Sequence, residues 1–106
     1  MSYEVIFDPA ARQDLEAIFN YIESRAGADV AERFVSRLYE RCMSLTHTAE
    51  RGTRRDELRR GLRTMGYRRR ATILFQVERS RKQVIILGVY YGGRDYESAF
   101  ADRDSE

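Results

Sequence analysis

Gly61-Leu62-Arg63-Thr64-Met65-Gly66-Tyr67-Arg68-Arg69-Arg70-Ala71-Thr72-Ile73-Leu74-Phe75-Gln76-Val77 is the stretch on which the fold turns. Leu62, Thr64 and Gly66 alternate with Arg63, Met65 and Tyr67, and an apolar, β-branched run follows from Ala71, so a period of two predicts two strands here. Glu78-Arg79-Ser80-Arg81-Lys82 reads as a polar turn, after which Val84-Ile85-Ile86-Leu87-Gly88-Val89-Tyr90-Tyr91 is apolar on both alternating faces. A strand of that kind is covered on both sides and is predicted to be central. Gly92-Gly93 ends it, and the acid-rich segment 96–106 is expected to be a flexible tail.

Upstream of Gly61 the period is helical. Tyr3 to Phe7 is a short β-branched and aromatic run cut off by Asp8-Pro9, hence a first strand. Asp8 can cap the open amides of a helix whose first position Pro9 takes, where a missing N–H costs nothing. Leu15, Ile18, Phe19, Ile22 and Ala26 recur at helical spacing, with Arg12, Asp14, Glu16, Glu23 and Arg25 mostly on the opposite, surface side, and Gly27 is the expected stop. Asp29 with Glu32 has the form of a capping box before a second helix, whose stripe is Phe34, Leu38, Cys42 and Leu45, widened by Val35, Tyr39 and Met43. The short Ala26-Gly27-Ala28 link makes the two helices an antiparallel hairpin. The pattern fades near Thr46, and Arg51-Gly52-Thr53 reads as loop. The fold class is therefore α+β, one domain over 1–106 with its core at about residues 3–95.

Composition narrows the function. At 106 residues there is room for one core, and 34% charged with 42% apolar residues describes a globular chain. No run approaches the roughly 18 apolar residues of a spanning helix, and Met1-Ser2-Tyr3-Glu4 lacks the basic start of a signal peptide, so no membrane association and a cytoplasmic location are expected. Cys42 sits in the apolar stripe and is expected to pack rather than react. His47 near the end of the second helix suits the helix dipole. With one histidine, no clustered Cys/His ligands and no phosphate-cradling glycine loop, neither a metal nor another cofactor is expected. Asp14 with Glu16, and Asp56 with Glu57, are placed on the charged surface rather than in a catalytic pair.

The distribution of charge carries more than its total of +2. Only Lys82 among the basic residues is lysine. Between Arg51 and Arg70 stand nine arginines (51, 54, 55, 59, 60, 63, 68, 69 and 70) against Asp56 and Glu57, a local balance of +7 that leaves the remainder at -5. Guanidinium forks match carboxylates and phosphates, so the field suits an acidic protein partner or nucleic acid, and composition does not choose between them. One catalytic arrangement passes this filter: Arg63, Arg69, Arg70, Tyr90, Tyr91 and Arg94 supply the groups for arginine-assisted RNA cleavage with a tyrosine base. Tyrosines ending a central strand more commonly pack their rings and leave the hydroxyl at the rim.

The order of elements, with several local patterns, resembles the RelE/ParE toxin superfamily over roughly Tyr3 to Asp95. The carrying residues are Ala11-Arg12-Gln13-Asp14-Leu15-Glu16-Ala17-Ile18 with Tyr21-Ile22, Ala31 to Phe34, Gly52-Thr53-Arg54-Arg55-Asp56-Glu57-Leu58 leading to Gly61-Leu62-Arg63, and Val84 through Asp95. They look more like the ParE branch. The resemblance implies a β-α-α-β-β-β fold with an N-terminal strand, a helical hairpin and a C-terminal antiparallel sheet. It implies the toxin of a type II toxin-antitoxin system, bound in a hetero-oligomer by a ParD-like ribbon-helix-helix antitoxin and touching operator DNA only through it. A ParE-like toxin poisons DNA gyrase without performing chemistry. The alternative is a RelE-like ribosome-dependent endoribonuclease that cleaves mRNA. Tyr91 occupies the place of a histidine common in ParE-like toxins and Gly93 that of an arginine, while the segment before the second strand holds arginines where RelE-like activity uses lysines. Arg63, Arg69, Arg70, Tyr91 and Arg94 are the residues expected to meet antitoxin or target.

Overall fold

A computed structural model of the chain describes residues 2–93 and 95–104. Strand β1 (Glu4–Phe7) leads into helix α1 (Pro9–Ala26) and helix α2 (Ala28–Met43), then strands β2 (Thr53–Arg54), β3 (Leu62–Tyr67), β4 (Ala71–Glu78) and β5 (Gln83–Tyr91), and finally helix α3 (Tyr96–Asp104). The sheet order is β1-β5-β4-β3-β2. The meander from β2 to β5 is antiparallel, and β1 joins β5 in parallel, Phe7 opposite Ile86. The α+β architecture read from the sequence is thus present, with the short β2 added where the sequence reads as loop.

Local chemistry sets the boundaries. The Asp8 carboxylate accepts the Ala10 N–H at 3.0 Å and Pro9 opens α1, as its sequence position demands. The hairpin link is tighter than expected. Gly27 ends α1 by donating to the Glu23 carbonyl, and its own carbonyl accepts the Ala31 N–H that begins α2. Its φ of 95° is open to glycine and strained for other residues. The Asp29/Glu32 capping box is therefore not formed: Gly27 holds the cap, and Asp29 lies inside the first turn, where its charge favours the helix dipole.

Both sheet faces are covered. On one, Ile18, Ile22, Ala31, Leu38 and Cys42 of the helical hairpin pack on Met65, Ile73, Phe75, Val84, Ile86 and Val89. Burial pushes the Cys42 thiol up to about 12, which leaves it an inert core group. On the other face α3 lays Phe100 on Leu62, Leu74 and Tyr90. This corrects the expectation of a flexible tail at 96–106 for residues 96–104; residues 105 and 106 lie outside the described residues. The Asp95 carboxylate accepts the Ser98 N–H and hydroxyl as a helix cap, which lowers the carboxyl below its usual range. Tyr96, Ala99 and Phe100 then fall on one helical face.

Asp14 is likewise not a surface acid. It accepts two N–H groups of Arg103 at 2.9 and 3.0 Å and the Val89 backbone N–H at 2.8 Å, joining α1, α3 and β5. β1 stops at Phe7, so the edge of β5 beyond it is open, and Asp14 satisfies one of its donors. A bulge between Leu74 and Phe75 in the β4–β5 pairing brings Gly88 under this bridge, where a Cβ would lie 2.9 Å from Arg103 Nη1.

Candidate functional site

The arginine field divides into three structural settings. The first is a clamp on α3. Arg55 donates to Glu57, Glu97 and the Tyr96 hydroxyl, and Arg59 pairs with Asp104 at 3.1 Å. These residues hold α3.

The second setting is the β3–β4 turn. The Arg70 N–H donates to the Tyr67 carbonyl at 2.9 Å, closing a tight turn whose central residues are Arg68 (φ 50°) and Arg69 (φ 58°). A hairpin turn with two positive φ values matches the twist of the strands and is ordinarily filled by Asn-Gly. Arginine here costs about 1–2 kcal/mol per residue. The Gly92 N–H donates to the Arg70 carbonyl at 2.7 Å, which ties the turn to the end of β5. Arg68, Arg69 and Arg70 are all exposed.

Beside this turn runs a chain of aromatic rings drawn from four elements. Tyr21 of α1 meets Tyr91 of β5 at 5.8 Å, Tyr91 meets Phe34 of α2 at 5.4 Å, and Phe34 meets Tyr67 of β3 at 5.5 Å. Each contact is edge-on, the favourable arrangement for aromatic pairs. Arg25 lies over the Tyr21 ring at 4.6 Å and Arg68 over Tyr67 at 5.7 Å. Tyr21 and the neighbouring Val30 remain 47% and 39% exposed, while Phe34, Tyr67 and Tyr91 are partly buried against the core. A cleft of about 330 Å³ holds Arg25, Val30, Phe34, Arg70 and Tyr91, and an adjoining one of about 300 Å³ holds Arg33, Arg37 and Arg68. Among the described residues no carboxylate pairs with these arginines.

The third setting is the opposite end of the sheet. Arg63 on β3, Arg54 on β2 and Arg79 after β4 surround Glu50 in a cleft of about 400 Å³. Arg79 donates to Glu50 through Nε at 2.8 Å and through Nη2, and these bonds hold the Glu50 carboxyl below its ordinary range. Arg63 Nη2 stands 3.7 Å from the same carboxylate. Asp56 accepts the Gly61 N–H at 2.9 Å and pairs with Arg54 at 3.3 Å, which lowers its carboxyl too.

The expected site residues therefore do not form one cluster. Arg69, Arg70 and Tyr91 gather at the turn, whereas Arg63 is in register with Phe75 and, through it, Ile86. Strand spacings place Arg63 on the order of 15–20 Å from Tyr91. A tyrosine base at Tyr91 with Arg63 as its phosphate clamp does not assemble in this arrangement. Arg94 lies outside the described residues. Tyr90 is a packing residue, buried against Phe100 with Arg103 over its ring at 5.1 Å. His47 is exposed at the end of a short 3-10 turn that follows α2. Tyr21, Arg25, Phe34 and Tyr67 are the participants that strand-based reading missed. The signal available for Tyr21, Arg25 and Phe34 was an aromatic or arginine on each helix near the Gly27 link, and for Tyr67 its place at the end of the strand that leads into the arginine turn.

Comparison with known proteins gives a consistent result. The family model described as "ParE toxin of type II toxin-antitoxin system, parDE" matches residues 5–96. The structure is similar to a protein of the chromosomal ParDE system of P. aeruginosa, with a TM-score of 0.74, 24% identity and coverage of 86% of this chain and 97% of that one. It is also similar to a chain of the RelBE2 toxin-antitoxin complex of Mycobacterium tuberculosis, at a TM-score of 0.64 and 19% identity over 86% of this chain and 99% of that one. A mutant of the E. coli toxin RelE in the free state gives a TM-score of 0.64 at 16% identity, covering 98% of each chain. These likenesses show a shared fold. No curated protein sequence gives a significant match.

Proposed function

Since the chain belongs to the ParE toxin family of type II toxin-antitoxin systems, we propose that a ParD-like antitoxin neutralises it by laying an acidic, apolar segment across the turn end of the sheet. The observation that supports this reading is the strip of Tyr21, Phe34, Tyr67 and Tyr91 flanked by Arg25, Arg68 and Arg70. An amphipathic segment sets apolar side chains on such rings and carboxylates on such guanidinium groups, and orders as it binds. Arg69, Arg70 and Tyr91 belong to this surface in the proposal. The proposed antitoxin is a ribbon-helix-helix protein that bridges the toxin to operator DNA in a hetero-oligomer, and the proposed target is DNA gyrase, reached without chemistry by the toxin itself.

The antitoxin reading is tested with the acidic antitoxin that it requires to be encoded beside this chain. Co-purification should persist for the native toxin and fail for Arg25→Glu combined with Arg70→Glu; capture that survives both reversals would place the antitoxin elsewhere. For the target, toxin added to gyrase and plasmid DNA should leave protein-linked double-strand breaks. Undisturbed supercoiling at high toxin concentration would remove gyrase from the proposal.

A further inference from the structure

The cleft at the β2 end contains more guanidinium than its single carboxylate satisfies. Arg79 engages both oxygens of Glu50 in a fork. Arg63 is left 3.7 Å from one of those oxygens, beyond hydrogen-bond distance, and its other amino group reaches the Arg51 carbonyl only at 3.5 Å. Its side chain is nevertheless only 16% exposed, so a charge held largely out of water has donors without close acceptors. Arg54, on the third side, is 71% exposed and turns to Asp56.

We propose that Arg54, Arg63 and Arg79 form a phosphate-binding site whose place in the free chain is held by the Glu50 side chain. A carboxylate is planar and offers two oxygens, and one fork uses both. A phosphate is tetrahedral, and its oxygens project towards donors on several sides, which is what guanidinium groups from three separate elements present. Exchange requires little movement. Ala49 is buried on one side of Glu50, and on the other Gly52 is pressed so closely on the Thr64 carbonyl that a Cβ has no room. The backbone around Glu50 is thus fixed, while its side chain is 41% exposed and free to swing outward. Arg51, Arg81 and Lys82 add positive charge around the same end and favour approach of an anion. The assignment is independent of the antitoxin reading, since it uses the opposite end of the sheet.

Phosphate reaches such a site either as inorganic phosphate or on a nucleic-acid strand, and the test separates the two. Anisotropy of a short fluorescein-labelled DNA strand is measured with the full-length native chain, Glu50→Gln, Glu16→Gln, Arg63→Gln and Arg79→Gln, with inorganic phosphate as competitor at matched ionic strength. Glu16 is an exposed acid on α1, so its replacement changes net charge by the same amount away from the cleft. Binding should tighten about fivefold for Glu50→Gln, remain within about twofold for Glu16→Gln, and weaken about tenfold for either arginine variant. Displacement of the strand by millimolar phosphate would identify a site for the free ion, and resistance to it a site for the strand; both support the assignment. Equal tightening by Glu50→Gln and Glu16→Gln would reduce the effect to net charge and overturn it. So would undiminished binding in Arg79→Gln, whose side chain is 69% exposed, so that its loss leaves the fold intact if Arg63→Gln disturbs it.

Discussion

Beside the β3–β4 turn Arg68 and, from α1, Arg25 lie on aromatic rings and meet no carboxylate among the described residues, whereas at the β2 end Arg54, Arg63 and Arg79 each face one. Both ends draw largely on one crowded stretch of sequence, yet the turn end carries its arginines without carboxylates among the described residues, and the β2 end is compensated only in part, by Glu50 and Asp56. The difference lies in what the rest of the fold delivers. The helical hairpin brings Tyr21, Arg25 and Phe34 to the turn, while the loop before β2 brings Glu50 to the other end. A count of arginines is therefore a poor guide to a binding surface; their partners decide.

The most direct way to break this comparison is charge reversal. Arg68→Glu with Arg70→Glu should weaken antitoxin binding by about 100-fold or more, measured by calorimetry. The melting temperature should barely change, since both side chains are exposed. Arg54→Glu, equally exposed at the other end, should leave antitoxin affinity within about threefold. Similar losses from both ends would dissolve the distinction.

A smaller effect, on stability, sharpens the third use of arginine in this molecule, that of a clamp. Asp14→Ala leaves Arg103 and the Val89 N–H without their acceptor in a site where the Asp14 side chain is 15% exposed. Urea unfolding should show a loss of about 2 kcal/mol. Arg103→Ala should cost less, because Asp14 keeps the Val89 bond. An unchanged midpoint for Asp14→Ala would mean that α3 is held by its apolar face and by Arg55 and Arg59 without help from Asp14.

Some of this was legible in the sequence. Asp8-Pro9 announced α1, and the change from a helical period to a period of two at Gly61 announced the sheet, because each rests on local stereochemistry. Other features depend on tertiary partners. Asp14 alternates like a surface acid in α1, and nothing local shows that β1 ends early enough to leave the Val89 N–H for it. Residues 96–104 read as a tail because charge composition overshadowed the Asp95 cap and the Tyr96-Ala99-Phe100 face, and that face needs the sheet to lie on. The separation of Arg63 from Arg69 and Arg70 was not legible either: a strand advances about 3.3 Å per residue, so near neighbours in sequence stand at opposite ends of the sheet.

The arginines at the centre of the turn also differ from Arg54 and Arg63 of the β2 end in backbone strain. Arg69 sits at φ 58°, a conformation in which glycine carries no Cβ penalty, whereas neither Arg54 nor Arg63 has a positive φ. Arg69→Gly should accordingly raise stability by about 1 kcal/mol in urea unfolding while lowering antitoxin affinity, a separation of folding from recognition. The corresponding Arg63→Gly should only destabilise. A loss of stability in Arg69→Gly would show that this arginine is retained for packing rather than for a partner.

The smallest expected effect is on acid stability and belongs to the β2 end. The Glu50 carboxyl is held low chiefly by the hydrogen bonds from Arg79, with the charges of Arg79, Arg63 and Arg54 adding to them. A carboxyl lowered in the folded state contributes stability that is present above its unfolded value, near pH 4.3, and is lost as pH falls through the folded value. The difference in melting temperature between the native chain and Glu50→Gln should thus be constant near neutrality and close in the acid range below about pH 4. It should shrink with added salt, because the pair lies at the surface. A variant of the turn end, Arg70→Gln, has no paired carboxylate among the described residues to lose and should run parallel to the native chain over the same range. If that curve also converged with the native one in acid, the turn would hold an acidic partner within the chain, and the contrast between an end without paired carboxylates and a partly compensated one would fail.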